Sequence, residues 1–158
     1  MNPIDLWAQR WGVSRAALDE LATLYTPTFD SIPGGSEAYT QQHVRVTAPK
    51  LGASLWRNNS GATLDESGRL VRYGLANDSK KLNEVFKSSD LIGITPVTWQ
   101  GRRFGVFTAI EVKRPDWTKP ENDRDRAQAN FLTTVEALGG IGQFVTSAAQ
   151  YEARVKAL

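Results

Sequence analysis

Three residues of this chain have the types and spacing for hydrolytic chemistry: Asp90, Glu111 and Lys113. Asp90 opens the segment Asp90-Leu91-Ile92-Gly93-Ile94, and Ala109-Ile110-Glu111-Val112-Lys113 closes a second one. Two carboxylates supply hard oxygen ligands for Mg²⁺ or Mn²⁺, and Mg²⁺ keeps several waters and commonly sits beside substrate phosphates. A divalent ion lowers the pKa of its water and stabilises charge on a phosphoryl group under attack. Lys113 would orient that water or neutralise charge at phosphorus. A Glu-Val-Lys run at a strand end is also the pattern of a plain surface ion pair, so the motif acquires meaning only from its surroundings.

Both segments are short and rich in Ile and Val, and they read as strands. Trp99-Gln100-Gly101-Arg102-Arg103 between them is a polar, glycine-bearing connection of hairpin type. Side chains alternate across a strand, so Glu111 and Lys113 share one face while Ile110 and Val112 take the other. Asp90 would then meet the Glu111–Lys113 pair at one end of the hairpin.

Residues 3–25 are helical in character and fall into two pieces. Leu6, Trp7, Arg10 and Trp11 form one short face, Gly12 breaks it, and Ser14 caps a second helix carrying Ala17, Leu18, Leu21 and Leu24. The run from Ala8 to Leu18 looks like the centre of a helix-turn-helix, yet a third helix to bury its core is not evident. An arm that packs on the domain or on a second subunit is the other reading. Pro27, Pro33 and Gly34-Gly35 mark a linker between 26 and 35. The organisation expected is a helical arm over 1–32 and one α/β domain over 33–158.

Within the domain, Ser36 caps a helix to about Ala48, where Pro49 ends or kinks it. Glu37 sits in its first turn, where an acid suits the helix dipole or could serve as a further metal ligand. Ser54–Asn58 starts a strand, Asn59–Ala62 turns the chain and Arg69–Tyr73 returns it. Gly74–Ser89 is a lysine-bearing insert with room for a short helix at 80–86. Asn122 starts the longest helix, to Leu138, with Ala127, Phe131, Val135 and Leu138 as its buried stripe and Gln128 facing inward beside it. A buried amide needs a partner. Residues 141–146 read as a last strand and 148–158 as a closing helix.

The chain holds 158 residues with 41% hydrophobic and 23% charged content, ordinary for a soluble globular domain. It has no cysteine, which excludes disulfides and thiolate metal sites and suits a reducing cytoplasm. One histidine, His43, excludes multi-histidine zinc centres. No apolar run reaches membrane-spanning length, and the N-terminus lacks the pattern of a signal peptide. Net charge is only +2, but residues 36–119 carry 13 Lys and Arg against 8 Asp and Glu. A phosphate backbone would meet a positive region there.

The order helix, strands, Asp, hairpin, Glu-x-Lys, helix, strand resembles the core of the PD-(D/E)XK nuclease superfamily. Within it the chain is similar to the VRR-NUC family, the virus-type replication-repair nuclease module, over about residues 36–150. The resemblance rests on Ser36-Glu37 with Gln41-Gln42, Arg57-Asn58-Asn59-Ser60-Gly61-Ala62, Gly74, Ser89-Asp90-Leu91-Ile92-Gly93, Ile110-Glu111-Val112-Lys113, and Gln128 with Phe131-Leu132. Ser89 stands where the family commonly has proline, and the insert from Leu75 to Ser88 is longer than usual.

The resemblance implies a restriction-endonuclease-like fold, a central mixed β-sheet flanked by helices. It implies that Asp90, Glu111 and the Val112 carbonyl bind Mg²⁺ or Mn²⁺, that Lys113 assists the water, that Glu37 holds a second ion or its waters, and that Gln128 steadies the site. Arg57, Asn58, Arg72, Lys80, Lys81, Lys87 and Arg114 are the expected DNA contacts. Stand-alone members are typically phage or bacterial homodimers acting on branched DNA. The expectation is therefore a cytoplasmic, structure-selective endodeoxyribonuclease, of Holliday-junction type. The alternatives are a flap or nicking nuclease, a sequence-specific restriction-type enzyme, or a DNA-binding or assembly module that keeps the fold without cleavage.

Overall fold

The structure is a computed structural model that describes residues 3–25 and 34–158; of the linker expected over 26–35, residues 26–33 lie outside them. The chain divides into two compact units, Met1–Ile32 and Pro33–Leu158. In the first, α1 (Pro3–Trp11) and α2 (Arg15–Tyr25) are separated at Gly12, whose φ of +64° is a left-handed value that favours glycine. Ser14 Oγ accepts the Ala17 N–H at 3.1 Å and so caps α2, while Arg15 pairs with Asp5 and Asp19. Ala8 is buried; Trp7 and Trp11 are exposed.

The second unit runs α3 (Glu37–Lys50), β1 (Ser54–Arg57), β2 (Gly61–Leu64), β3 (Leu70–Tyr73), α4 (Lys80–Val85), β4 (Leu91–Trp99), β5 (Arg102–Val112), α5 (Asp123–Ala137), β6 (Ile141–Val145) and α6 (Ala148–Lys156). Four strands form a central sheet in the order β1-β4-β5-β6, antiparallel except for the parallel pair β5–β6. Its class is α/β with a mixed sheet.

Alternation along β5 distributes the core. Ile110 and Val112 join Val44 and Ala48 of α3, Leu55, Leu91, Val145 and Tyr151 of α6 in one buried cluster. Ala109, on the opposite face, packs against Phe131, Leu132 and Val135 of α5. Helices α3 and α6 thus cover one face and α5 the other, the usual solution for a sheet with two apolar faces. No helix among the described residues is long and apolar enough to cross a membrane.

Several elements differ from the sequence reading. The hairpin arms run on through Trp99 and from Arg102, because Thr95, Pro96, Val97 and Thr98 continue β4 opposite Gly105, Phe104 and Arg103. Proline is tolerated there since β1 pairs with β4 only as far as Ile94, leaving Pro96 with a strand on one side alone. Gly61-Ala62 is not a turn; it begins β2, which pairs with β3 in a separate two-stranded sheet. Pro49 does not end α3 at Ala48. It sits in the last turn, which Leu51 and Gly52 close with N–H bonds to the Ala48 and Pro49 carbonyls, both 3.0 Å. Leu138 is 83% exposed rather than buried, because it is the C-cap residue, where the helical period has already ended.

Candidate active site

Register brings the two carboxylates together. Leu91 faces Ile110 across β4 and β5, so Asp90 and Glu111 fall opposite one another one step further on. The Asp90 N–H donates to Glu111 Oε2 at 3.0 Å, and the Val112 N–H donates to Asp90 Oδ2 at 3.2 Å. Each acid is thus held by the other strand's backbone. The Lys113 N–H donates to the Val145 carbonyl at 2.8 Å, which extends the β5–β6 pairing by one residue and fixes where its side chain departs. Glu111 and Lys113 do share a face: the ammonium lies 3.3 Å from Glu111 Oε1, and both are buried.

Helix α5 completes the group. Asn122 Oδ1 accepts the Asp125 N–H at 2.8 Å and starts the helix, so that Asp125 and Gln128, one turn apart, point the same way. Lys113 Nζ donates to Asp125 Oδ1 at 2.7 Å and to Gln128 Oε1 at 2.8 Å. The Gln128 amide nitrogen donates to Glu111 Oε1. Gln128 therefore accepts from the cation and donates to the acid, and its burial is satisfied at both ends. Trp117 Nε1 donates to Asp125 Oδ2 at 3.1 Å, and the Trp117 ring stacks on Phe144 at 4.7 Å.

Burial, and after it the nearby Asp90 charge, push the Glu111 carboxyl up to about 8. Asp90 is also raised, chiefly by burial, although the Val112 N–H and the charges of Lys113, Arg124 and Arg57 oppose the rise. Burial works against the Lys113 ammonium, yet its bond to Asp125 and the charges of Glu111 and Asp125 outweigh it and hold the group cationic above its ordinary range. Asp125 is held low: bonds from Lys113 and Trp117 outweigh its burial.

This donor set suits a hard divalent ion. Two carboxyls pressed together in a partly buried place repel when both are charged, and a cation between them would relieve that. Among the described residues no three His, Asp or Glu gather into a group able to hold an ion. Asp90 and Glu111 stand as a pair, which Mg²⁺ accommodates by keeping waters. Glu37 lies exposed in the first turn of α3. At Val112 the structure records the N–H turned to Asp90.

The expected DNA contacts separate into groups. Lys87 and Arg57 lie close enough to act on the carboxylates, Arg57 lowering Asp90 and Asp90 with Glu111 raising Lys87. Asn58 donates to Ser88 Oγ at 2.9 Å and to the Ser89 carbonyl at 2.8 Å, pinning the loop that leads into Asp90. A cleft of about 450 Å³ beside Asp90 is lined by Asn58, Lys87, Arg124 and Gln128 among others. Arg72 bonds Asn77 at 3.3 Å, Lys80 pairs with Glu84 at 3.9 Å, and both line a different cleft. Lys81 is exposed, and Arg114 pairs with Asp116 at 3.4 Å.

Sequence reasoning missed Asp125, Arg124 and Trp117. Asp125 had a signal: it is three residues before the inward-facing Gln128 and so shares its stripe. Compared with protein-family models, curated proteins and solved structures, the chain matches none.

Proposed function

We propose that this chain is a Mg²⁺- or Mn²⁺-dependent endodeoxyribonuclease on a PD-(D/E)XK-type core, similar to the VRR-NUC module. The observation that carries the reading is the convergence of Asp90, Glu111, Lys113 and Gln128, from three separate stretches of chain, on one end of the β4–β5 hairpin. These are the residue types that water-mediated phosphodiester cleavage needs, and they meet beside an open cleft.

Asp90 and Glu111 would hold the metal, and Val112 could add its carbonyl. A bound ion supplies an acidified water and charge stabilisation at phosphorus. Lys113, held cationic, faces the developing negative charge and would help place the attacking water. Gln128 keeps the Glu111 carboxylate and the Lys113 ammonium in fixed relation. Attack by water with departure of the 3′-oxygen leaves a 5′-phosphate. The nuclease reading further assigns a homodimer acting on branched DNA, since two sites related by a twofold axis match the paired cuts of a four-way junction.

Incubation with linear, flapped and four-way DNAs, with and without Mg²⁺ or Mn²⁺, tests this. Metal-dependent cleavage that Asp90→Ala abolishes is expected, with the junction preferred. Absence of cleavage on every substrate would remove the enzyme reading.

One observation favours a second reading. Three acceptors, Asp125, Gln128 and Glu111, already surround Lys113, enough for the three protons of an ammonium. The cluster would then be a buried polar network in a non-catalytic DNA-binding or assembly module. DNA binding without cleavage would support it.

A further inference from the structure

Two clefts meet beside Asp90, and Lys87 and Arg124 line both of them. One, of about 450 Å³, contains Asp90 and Gln128; the other, of about 540 Å³, lies between α4 and the start of α5 and is lined also by Asn83, Glu84 and Asp123. Lys87 stands three residues before Asp90, and Arg124 precedes Asp125. Both cations act on the same carboxylate neighbourhood: Arg124 lowers Asp90, and after burial it is the largest influence depressing Lys87.

The two acids that line the α4–α5 cleft with this pair are already engaged. Glu84 pairs with Lys80 at 3.9 Å, and Asp123 pairs with Arg126 at 2.6 Å. Among the described residues neither Lys87 nor Arg124 forms an ion pair; Lys87 Nζ donates only to the Asn83 amide oxygen, at 3.2 Å. Two like charges that repel each other therefore share one cleft wall without a salt-bridged partner, offset only by the more general attraction of Asp90 and Glu111. An anion placed between them would remove the cost.

We propose that Lys87 and Arg124 form a phosphate-binding subsite that holds the nucleic-acid strand one or two phosphodiesters from the bond cut at Asp90 and Glu111. This rests on the nuclease reading and names the part of its site that grips the substrate. The strand would pass from the Asp90 cleft into the α4–α5 cleft, crossing the cation pair at their shared wall. Arg presents a planar fork to a phosphate and Lys a point charge, so the pair can follow a phosphate that shifts between binding and cleavage.

The test is duplex binding by the full chain in EDTA, where no cleavage occurs, measured by fluorescence anisotropy across a salt series. Each phosphate contact contributes about 0.9 to the slope of log K against log salt. Lys87→Gln/Arg124→Gln should lower that slope by about 2 and weaken low-salt binding at least tenfold. Lys50→Gln/Lys156→Gln removes the same charge from α3 and α6, on the other sheet face, and should leave the slope within about 0.5. Should Lys87→Gln fail to fold by circular dichroism, Arg124→Gln alone, at an exposed position, should still lower the slope by about 1. Unchanged slope and affinity in the variants, with wild type binding and cutting DNA, would overturn the subsite and spare the nuclease reading. A wild type that neither binds nor cuts DNA would overturn both.

Discussion

Asp125 holds Lys113 more closely than Glu111 does: the ammonium lies 2.7 Å from Asp125 Oδ1 and 3.3 Å from Glu111 Oε1. The cation is thus tied to α5 as well as to its own strand, and α5 fixes the depth at which it meets the carboxylates. Asp125→Asn removes the nearer charge while keeping an acceptor. Breaking a buried pair costs about 3–5 kcal/mol when the survivor is left uncompensated. Lys113 retains Glu111 and Gln128, so a loss of about 2 kcal/mol is expected. Urea unfolding at neutral pH measures it, and a loss under about 0.5 kcal/mol would show that Asp125 is not the partner that matters.

The raised Glu111 carboxyl makes a pH prediction for the metal-free protein. Its folded pKa of about 8 exceeds the ordinary value of 4.5, so the native state binds the proton more tightly than the unfolded chain. The stability this contributes is complete below about 4.5 and is lost as pH rises through about 8. Asp90, shifted in the same direction, adds to the trend. In EDTA the unfolding free energy should therefore fall between pH 5 and 8, at most by roughly 1.4 kcal/mol per pH unit for one group. Glu111→Gln should flatten that fall. A wild-type profile that rises over this range would contradict the burial of two interacting acids.

The grouping of Glu111, Lys113 and Gln128 was legible because these residues sit at positions where local rules are strong. Glu111 and Lys113 follow from period-two alternation, and Gln128 from a polar side chain on an apolar stripe. Asp125 was masked by its charged neighbours Asp123, Arg124 and Arg126, so that its three-residue spacing from Gln128 was the one cue that set the buried acid apart from the solvated one. In the structure the capping bond to Asn122 and the reach of Lys113 fix it there. The separate β2–β3 ribbon was missed for a similar reason. Gly61-Ala62-Thr63-Leu64 has no buried residue, so no alternation marks it as a strand. Pro96 concealed the length of β4, since whether proline is tolerated depends on where β1 stops.

Gly93 links the fold to the site. It lies opposite Leu55, and a Cβ there would run into the Ser54 carbonyl oxygen and lie 2.9 Å from Leu55 Cα. Backbone, unlike a flexible side chain, cannot step aside. Gly93→Ala should therefore push β1 from β4 at a cost of about 2 kcal/mol. Because the Asn58 N–H, just past the end of β1, donates to the Asp90 carbonyl at 2.8 Å, the displacement should reach Asp90 as well. DNA cleavage should drop along with the thermal midpoint. A variant with wild-type midpoint and rate would mean β1 accommodates the methyl group.

Glu37 separates one metal ion from two. Ser36 Oγ accepts the Tyr39 N–H at 3.1 Å and caps α3, which leaves Glu37 exposed in the first turn. An acid in that place favours the helix dipole by about 0.3–1 kcal/mol at low salt, and no ligand role is needed to account for it. A second-ion carboxylate would be different, because its charge drives cation binding. Given the exposure of Glu37, Glu37→Gln should cost about 0.5 kcal/mol. It should leave both turnover and its dependence on Mg²⁺ concentration as in wild type. Cleavage rates across a Mg²⁺ titration decide the matter: a curve that becomes steeper and shifts to higher metal in the variant would put Glu37 on a second ion.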